Sequence, residues 1–234
     1  MREAIENLLH KVVRKVNPAY HVAKTSWSQQ GEDLVIHFIF KWMLKVDKFS
    51  YLDIGANHPF YLSNSYLFYK MGMTGVCVEP DPNGATLLSR KRPKDTVLNV
   101  GAGSAAGELD FFVMSSNTLS TFSKEVAHGY TQNANMGFPT IERVERIRVM
   151  SVDEILEKYF KSSKDYFISI DVEGLDYEIL TAINFSKYRP AVVCIETNGD
   201  DQNTIAYMHQ YNYLCHATNG TNCIFIDQTR LEKI

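Results

Sequence analysis

Apolar and polar positions along the chain change their spacing repeatedly, and each change marks a predicted element. From residue 50 onward, apolar runs of strand length alternate with segments whose apolar side chains recur at helical spacing. This alternation predicts an α/β fold with a mainly parallel sheet covered by helices. The predicted strands are 50–54, 75–79, 96–100, 109–113, 145–150, 166–171, 190–196, 212–217 and 222–227. The predicted helices are 63–71, 82–91, 152–160, 175–183 and 203–210.

Two further helices are predicted ahead of the first strand. Residues 2–16 carry an apolar stripe, and residues 32–46 carry another. We expect residues 1–25 to form an amphipathic helix and linker, and residues 26–234 to form one domain. The first helix suits packing against its own domain or against a second copy of the chain, as a homodimer. Its mixed charges favour a membrane surface less.

Residues 115–142 interrupt the alternation with a polar segment that has no sustained periodicity. An insertion of this length is usually functional or disordered. We interpret it as a loop that covers the substrate. The alternative is a surface excursion that contacts nothing.

The last two strands predict a C-terminal hairpin, so that one strand runs against the rest of the sheet. If Asn219-Gly220 forms a two-residue turn, Cys223 lies opposite His216 and Cys215 points to the other face. A disulfide between these cysteines would then have poor geometry. No Cys-x-x-Cys pair supports a zinc site, so we predict four free thiols.

Composition narrows the class of protein. A chain of 234 residues with 45% hydrophobic and 22% charged residues suits a soluble globular domain. The net charge of −3 gives no broad basic field, so nucleic acid is not an expected partner. No apolar stretch reaches the roughly 20 residues of a transmembrane segment, and the first residues lack the pattern of a signal peptide. The expected location is the cytoplasm.

Asp53 and Glu79 form the most informative chemical pattern. Asp53 opens a turn with one glycine, Asp53-Ile-Gly-Ala-Asn57, and Glu79 ends the next apolar run. Rossmann-like sheets use this order to bind a nucleoside, with the acid on the ribose hydroxyls. A dinucleotide pyrophosphate needs close approach to several backbone amides, which a single glycine serves poorly. The pattern therefore favours S-adenosylmethionine (SAM), whose tail is an amino acid, over NAD or FAD.

The individual cofactor contacts follow from this interpretation. Asp53 would engage the ammonium group of the tail, directly or through water, and Gly55 would let the tail lie against the backbone. Small residues from Gly101 onward would leave room for the adenine ring; the alternative is an ordinary turn before the next strand. For Glu79, a solvated strand end is the alternative. The predicted cofactor-binding residues are Gln29, Asp53, Gly55, Asn57, Glu79, Gly101 and Asp171.

Acidic residues also follow the later strands. Asp171 and Glu173 come after the run 166–170, and Glu196 lies near the end of the next run. The carboxyl ends of parallel strands meet at one edge, so these side chains should lie near the transferring methyl group. Close carboxylates raise one another's pKa, and one of them could act as a general base. A divalent cation bound by these acids with Asn198 is the less favoured alternative.

His58 is the third candidate catalytic residue, beside Asp171 and Glu173. It follows the cofactor turn directly, where an imidazole could accept a proton near neutral pH. The alternative is a packing residue. For Glu173 the alternative is an acid that favours a helix start. The other histidines show no metal-ligand spacing, and no metal site is predicted.

Four segments together resemble the FkbM-type methyltransferase family, which uses SAM. They are 28–33 (Ser-Gln-Gln-Gly-Glu-Asp), 53–59 with 63–66, 75–82 (Gly-Val-Cys-Val-Glu-Pro-Asp-Pro) and 171–180 (Asp-Val-Glu-Gly-Leu-Asp-Tyr-Glu-Ile-Leu). The likeness runs from about residue 26 to 227. It implies a class I methyltransferase fold, with a seven-stranded sheet ending in a reversed strand. It also implies O-methylation, commonly of sugar or polyketide hydroxyls. Two departures are His58-Pro59, where many relatives place a glycine, and residues 1–25, which have no counterpart.

The sequence therefore predicts a SAM-dependent O-methyltransferase that acts on a hydroxyl of a glycan or another small metabolite. Methyl transfer needs the acceptor oxygen held in line with the methyl group, and it needs a base for the hydroxyl proton. Two other classes stay open. One is an NAD-linked oxidoreductase, and the other is a non-catalytic nucleoside-binding module, which would not need the acids after the later strands.

Overall fold

The computed structural model describes residues 24–197 and 199–231. The strands are β1 Ser50–Ile54, β2 Gly75–Val78, β3 Thr96–Leu98, β4 Gly101–Gly103, β5 Gly107–Met114, β6 Ile141–Ser151, β7 Tyr166–Ile170, β8 Val192–Glu196, β9 Tyr213–Asn219 and β10 Asn222–Asp227. The helices are α1 Glu32–Phe38, α2 Tyr66–Lys70, α3 Pro82–Lys91, α4 Lys124–Thr131, α5 Val152–Tyr159, α6 Asp176–Ala182 and α7 Asp201–Gln210. A π-helix, Ile39–Met43, continues α1.

Seven strands form the central sheet in the order β3-β2-β1-β7-β8-β10-β9. Four of its six pairings are parallel, namely β3–β2, β2–β1, β1–β7 and β7–β8, whereas β10 pairs antiparallel with both β8 and β9. The expected α/β fold, with a mainly parallel sheet and a reversed C-terminal strand, is confirmed. The reversed strand lies inside the sheet, between β8 and β9.

The central strands are buried on both faces because helices cover the sheet from two sides. Along β1, Tyr51 packs with α1, α2 and α3, whereas its neighbour Leu52 packs with α5 and α6. All five residues of β7 are buried. A parallel sheet enclosed in this way needs continuous apolar strands, which is the pattern the sequence carries.

A second, smaller sheet departs from the predicted single sheet. Strands β4, β6 and β5 form a separate sheet in that order, and β5 pairs antiparallel with β6. The predicted strand 96–100 ends at Leu98, and the chain then enters the second sheet at Gly101. The segments 109–113 and 145–150 therefore do not extend the parallel sheet as the alternation suggested. Their period-two pattern identifies them as strands but does not identify their partners.

The polar insertion 115–142 is not an extended loop. It contains two 3-10 turns and the eight-residue helix α4, which the sequence analysis missed. Ser123 begins α4 by accepting a hydrogen bond from the Val126 N–H. Only Ala127 of this helix is buried, so the apolar pattern was too weak to reveal it.

The C-terminal hairpin forms, but its register differs from the expected one. The turn comprises residues 220–221, one position later than predicted, and Cys223 pairs with Thr218 rather than with His216. Positions 216 and 218 lie on the same face of the strand, so this shift alone leaves the expected parity of the two cysteines unchanged. An irregularity further along the strand reverses it.

A β-bulge at His216 brings the two cysteines together. Beyond the bulge, Cys215 pairs with Phe225, so Cys215 and Cys223 lie on the same face of the hairpin. Their side chains are close enough to hydrogen-bond with each other. All four cysteines in the structure are free thiols. The expected reason for the absence of a disulfide, namely that Cys215 and Cys223 lie on opposite faces of the hairpin, is however wrong.

The predicted helix over residues 2–16 and its homodimer role lie outside the described residues. The predicted helix over 32–46 is present as α1 with its π-helical continuation and ends at Met43. Within the part of the chain that the structure describes, no helix has the length and apolar character needed to cross a membrane.

Candidate functional site

A cavity opens where the carboxyl ends of β1, β2 and β7 meet, the position at which open α/β sheets bind ligands. The turn after β1, the end of β2, strand β4, the insertion and the loop after β7 all contribute to its lining. Most of the predicted site residues therefore share one cavity. Those that line it are Gln29, Gly55, Asn57, His58, Glu79, Gly101, Asp171 and Glu173.

Asp53 does not line this cavity, contrary to the prediction that it contacts the cofactor tail. Its carboxylate is buried and accepts a hydrogen bond from the Ser65 hydroxyl. Burial raises the pKa of Asp53, and the nearby Arg92 guanidinium opposes that rise. Arg92 itself is fully buried, donates to Ser65 at 2.9 Å and pairs with Asp95 at 2.7 Å. Asp53 thus belongs to a buried polar network with Ser65, Arg92 and Asp95, next to the turn that follows β1.

Gly55 is required by the packing of the turn against the loop after β7. It has φ of +84°, and a Cβ atom there would lie 1.8 Å from the Asp171 carbonyl oxygen. No L side chain fits that space. The glycine therefore brings two parts of the site together, a different reason from the expected approach of a ligand tail.

The backbone amides of the turn after β1 are used within the protein. The N–H groups of Gly55 and Ala56 both donate to the Val78 carbonyl, each at 3.1 Å. The Asn57 N–H donates to Glu79 Oε2 at 2.7 Å. A turn that cradles a pyrophosphate needs such amides directed at the ligand. These three are not available for that purpose.

Glu79 stands at the end of β2 and organises the cavity wall. Oε2 accepts from Asn57, and Oε1 accepts from the Asp81 N–H at 2.8 Å. Burial raises the pKa of Glu79 to about 7, against the lowering effect of these two hydrogen bonds. Each carboxylate oxygen has a second lone pair. The side chain can therefore accept further hydrogen bonds from a ligand.

Gln29 is the one residue of the 28–33 segment that lines the cavity. Its neighbours have structural roles. Asp33 accepts hydrogen bonds from the Trp27 N–H and the Ser26 and Ser28 hydroxyls, and Glu32 accepts from the Gln30 N–H. These hydrogen bonds fix the backbone of the segment that leads into α1, in which Gln29 faces the cavity.

Gly101 lines the cavity, but the space beside it is not empty. A Cβ atom there would lie 2.5 Å from the ring of Phe122, a residue of the insertion. Phe122 packs against Phe111 of β5 with ring centroids 4.8 Å apart, and both rings line the cavity. The absence of a side chain at Gly101 therefore makes room for the ring of Phe122. The two phenylalanine rings form an aromatic wall of the cavity, on which a flat ring such as adenine could stack.

The three acids predicted after the later strands do come together. One carboxylate oxygen from each of Asp171, Glu173 and Glu196 lies within 4.8 Å of the other two. Burial, with the neighbouring carboxylates, raises the pKa of Asp171 well above its usual range. The pKa of Glu173 rises to about 7, chiefly through burial. Acidic groups in this arrangement are common without a cation, and Asn198 lies outside the described residues.

The loop that carries Glu173 depends on two residues that the sequence analysis did not place in the site. Asp176 is buried and accepts from the N–H groups of Val172 and Gly174, at 2.8 and 2.9 Å. Tyr130 of α4 donates its hydroxyl to Glu173 Oε2. Asp176 stood within the quoted 171–180 motif. Tyr130 lies 43 positions from Glu173, and nothing local in the sequence indicated the contact.

His58 lies at the cavity, but its ring nitrogen Nδ1 is already engaged. It accepts from the Tyr61 N–H at 3.0 Å and from the Phe60 N–H at 3.4 Å. A neutral imidazole that accepts at Nδ1 carries its proton at Nε2. Burial also lowers the pKa of His58, which favours the neutral form. The imidazole therefore offers an N–H donor at Nε2, and its Nδ1 is not free to accept a further proton.

Two comparisons with known proteins found matches. A family model described as the methyltransferase FkbM domain matches residues 53–215, more than half of the chain. Among solved structures, a precorrin-6y C5,15-methyltransferase from Geobacter metallireducens GS-15 is similar at 11% identity and a TM-score of 0.42, over 87% of this chain and 90% of that one. The search of curated proteins gave no match. The matched region includes the turn after β1, Glu79 and the acids after β7. The chain belongs to the FkbM methyltransferase family.

Proposed function

We propose that this methyltransferase uses SAM and methylates a hydroxyl group of a glycan or another small metabolite. The observation that carries the proposal is the shared cavity, with Glu79 on one wall and the Asp171–Glu173 loop on another. In this proposal Glu79 binds the ribose, and the acids of the loop handle the proton. A non-catalytic nucleoside-binding module would not need the second group.

The cofactor side fits SAM better than a dinucleotide. The amides of Gly55, Ala56 and Asn57 are bonded internally, which disfavours a pyrophosphate and hence NAD. Glu79 can accept from ribose hydroxyls on the lone pairs that its backbone partners leave open. Gln29 and the Phe111–Phe122 wall also line the cavity. In this proposal Gln29 contacts the amino-acid tail and the aromatic wall contacts adenine.

On the acceptor side, we assign the base to Glu173. Bound SAM supplies a methyl group already activated on sulfur, so the protein must orient the acceptor oxygen and remove its proton. A general base works best when its pKa lies near the operating pH, and the pKa of Glu173 is about 7. Asp171 is the alternative base. His58 is less suited, because its Nδ1 accepts two backbone hydrogen bonds.

The carboxylates also bear on the acceptor's class. Three acids near one point repel an anionic acceptor, so a neutral molecule rich in hydroxyl groups is favoured. We place the reaction in the cytoplasm, in keeping with the free thiols. No divalent cation is proposed.

The test is transfer of radiolabel from methyl-labelled SAM to a panel of neutral sugars and glycosides, phenols, carboxylic acids and amines. We expect label in a neutral polyhydroxyl compound, as a methyl ether that survives alkali. Glu173→Gln should lower the rate of labelling ~10²–10⁴-fold, whereas Glu108→Gln, at an exposed acid on β5, should leave it unchanged. Label confined to amines, or to esters that alkali cleaves, would overturn the assignment.

A further inference from the structure

The insertion packs directly against the loop that carries the proposed base. On one side of α4, Ala127 is buried with Phe112 and Met114 of the second sheet. On the other side, Val126 contacts the loop at Gly174, where a Cβ atom would lie 2.8 Å from Val126 Cγ2. Helix α4 thus packs between the second sheet and the loop that carries Glu173.

Two hydrogen bonds from the insertion hold Glu173. The Thr121 hydroxyl donates to the Glu173 main-chain carbonyl at 2.7 Å, and the Tyr130 hydroxyl donates to its carboxylate oxygen Oε2. Glu173 has φ of +57°, a conformation that side-chain-bearing residues rarely adopt. Asp176 holds the same loop from the α6 side, through the Gly174 N–H. The main chain and the side chain of Glu173 are both fixed.

The groups that face Glu173 differ in their effect on its charge. Asp176 and Glu196 are carboxylates that raise its pKa, and Asp171 is a third acid in the same cluster. Tyr130 is the neighbour whose side-chain hydrogen bond lowers it. Burial and Glu173 raise the pKa of Tyr130 above its ordinary value, so its hydroxyl stays protonated and donates. Tyr130 is therefore not itself a base.

We propose that Tyr130 is a positioning residue for the base: its hydroxyl holds Oε2 of Glu173 as a carboxylate acceptor and leaves Oε1 to take the acceptor's proton. This rests on the proposed function, because it takes Glu173 as the base. As the acceptor oxygen bonds to the methyl carbon, the carbon–sulfur bond breaks and the sulfur keeps its electron pair. The hydroxyl proton moves to Oε1. The insertion thereby contributes to the reaction through a residue far from the family's acidic motif in sequence.

Tyr130→Phe isolates the hydroxyl, because the ring that packs beside α4 is retained. The readout is the carboxyl ¹³C signal of Glu173 during a pH titration, assigned by its loss in Glu173→Gln. We expect Tyr130→Phe to raise the pKa of Glu173 by roughly one unit, the scale of one hydrogen bond to a charged group. Replacing Tyr130 with 3-fluorotyrosine, a more acidic phenol and stronger donor, should lower it.

The matched control is Tyr188→Phe, which removes the hydroxyl of a buried tyrosine that donates to Glu157 at 2.7 Å, outside the cavity lining. It should leave the Glu173 titration unchanged. An unchanged or lowered Glu173 pKa in Tyr130→Phe would overturn the role of Tyr130. If Tyr130→Phe fails to fold, the protein with 3-fluorotyrosine at position 130 provides the test. An unchanged Glu173 pKa in that protein would likewise overturn the role of Tyr130.

Calorimetry with S-adenosylhomocysteine (SAH) on the same proteins separates this inference from the proposed function. We expect Tyr130→Phe and the wild-type protein to bind SAH with affinities within about twofold, because Tyr130 contacts the base and not the cofactor wall. Wild-type protein that does not bind SAH would remove the proposed function. Normal SAH binding with an unmoved Glu173 titration would remove only the role of Tyr130.

Discussion

Replacing Glu79 by alanine tests the cofactor wall, and its effects follow from two hydrogen bonds. In the free protein the variant removes the acceptor of the Asn57 and Asp81 N–H groups, bonded at 2.7 and 2.8 Å. Each bond to a charged group contributes ~1.5–3 kcal/mol, less whatever water restores. We therefore expect a measurable loss in the free energy of unfolding. The ribose hydroxyls of a bound cofactor would also lose their acceptor.

For binding, the expected cost of Glu79→Ala is ~1–3 kcal/mol, the range for polar groups left without partners. This corresponds to a rise in the SAH dissociation constant of about 5- to 150-fold. Titration calorimetry measures the constant, and urea unfolding of the same samples measures stability. Glu108→Ala, whose exposed acid lies 3.8 Å from Arg146, is the control and should change neither. Reduced stability with unchanged SAH affinity would show that Glu79 only holds the turn, and would refute its cofactor role.

Three further outcomes are expected. SAH affinity should fall about tenfold from pH 8 to pH 6, because Glu79, whose pKa is about 7, is mostly protonated at the lower pH. Calorimetry in matched buffers measures this affinity, and an affinity that does not change with pH would contradict the prediction. Glu173→Gln or Asp171→Asn should lower turnover ~10²–10⁴-fold with SAH affinity retained, and a chelator should leave wild-type turnover unchanged. Normal rates in both variants would make His58 the leading base candidate. The denatured, unreduced protein should show four reactive thiols, and a count of two would contradict this expectation. Treatment of the native protein with oxidised glutathione should then form a disulfide between Cys215 and Cys223.

The sequence carried enough information to predict the central sheet. Strands β1, β2, β7 and β8 are continuous apolar runs, because both faces of the sheet are enclosed, and their ends marked the edge where Glu79 and Asp171 lie. Chain order alone then placed the two acids at one edge. The second sheet was missed because alternating residues identify a strand without naming its neighbour.

Other features of the site depend on contacts between distant residues, which no local pattern reveals. Helix α4 buries one residue, so its periodicity is weak, and the Tyr130 contact with Glu173 exists only after the insertion folds back. Asp53 has the expected position in the chain, yet it is turned toward Ser65 by a buried polar network. The cysteine parity failed because a single bulged residue, His216, reverses the faces of the strand beyond it.

The most direct test of the central claim is calorimetry of the wild-type protein with SAH, NAD and ATP under the same conditions. The account predicts one SAH site per chain and no heat of binding for NAD or ATP, because the turn amides are bonded to Val78 and Glu79 and cannot hold phosphates. Binding of NAD without binding of SAH would contradict it.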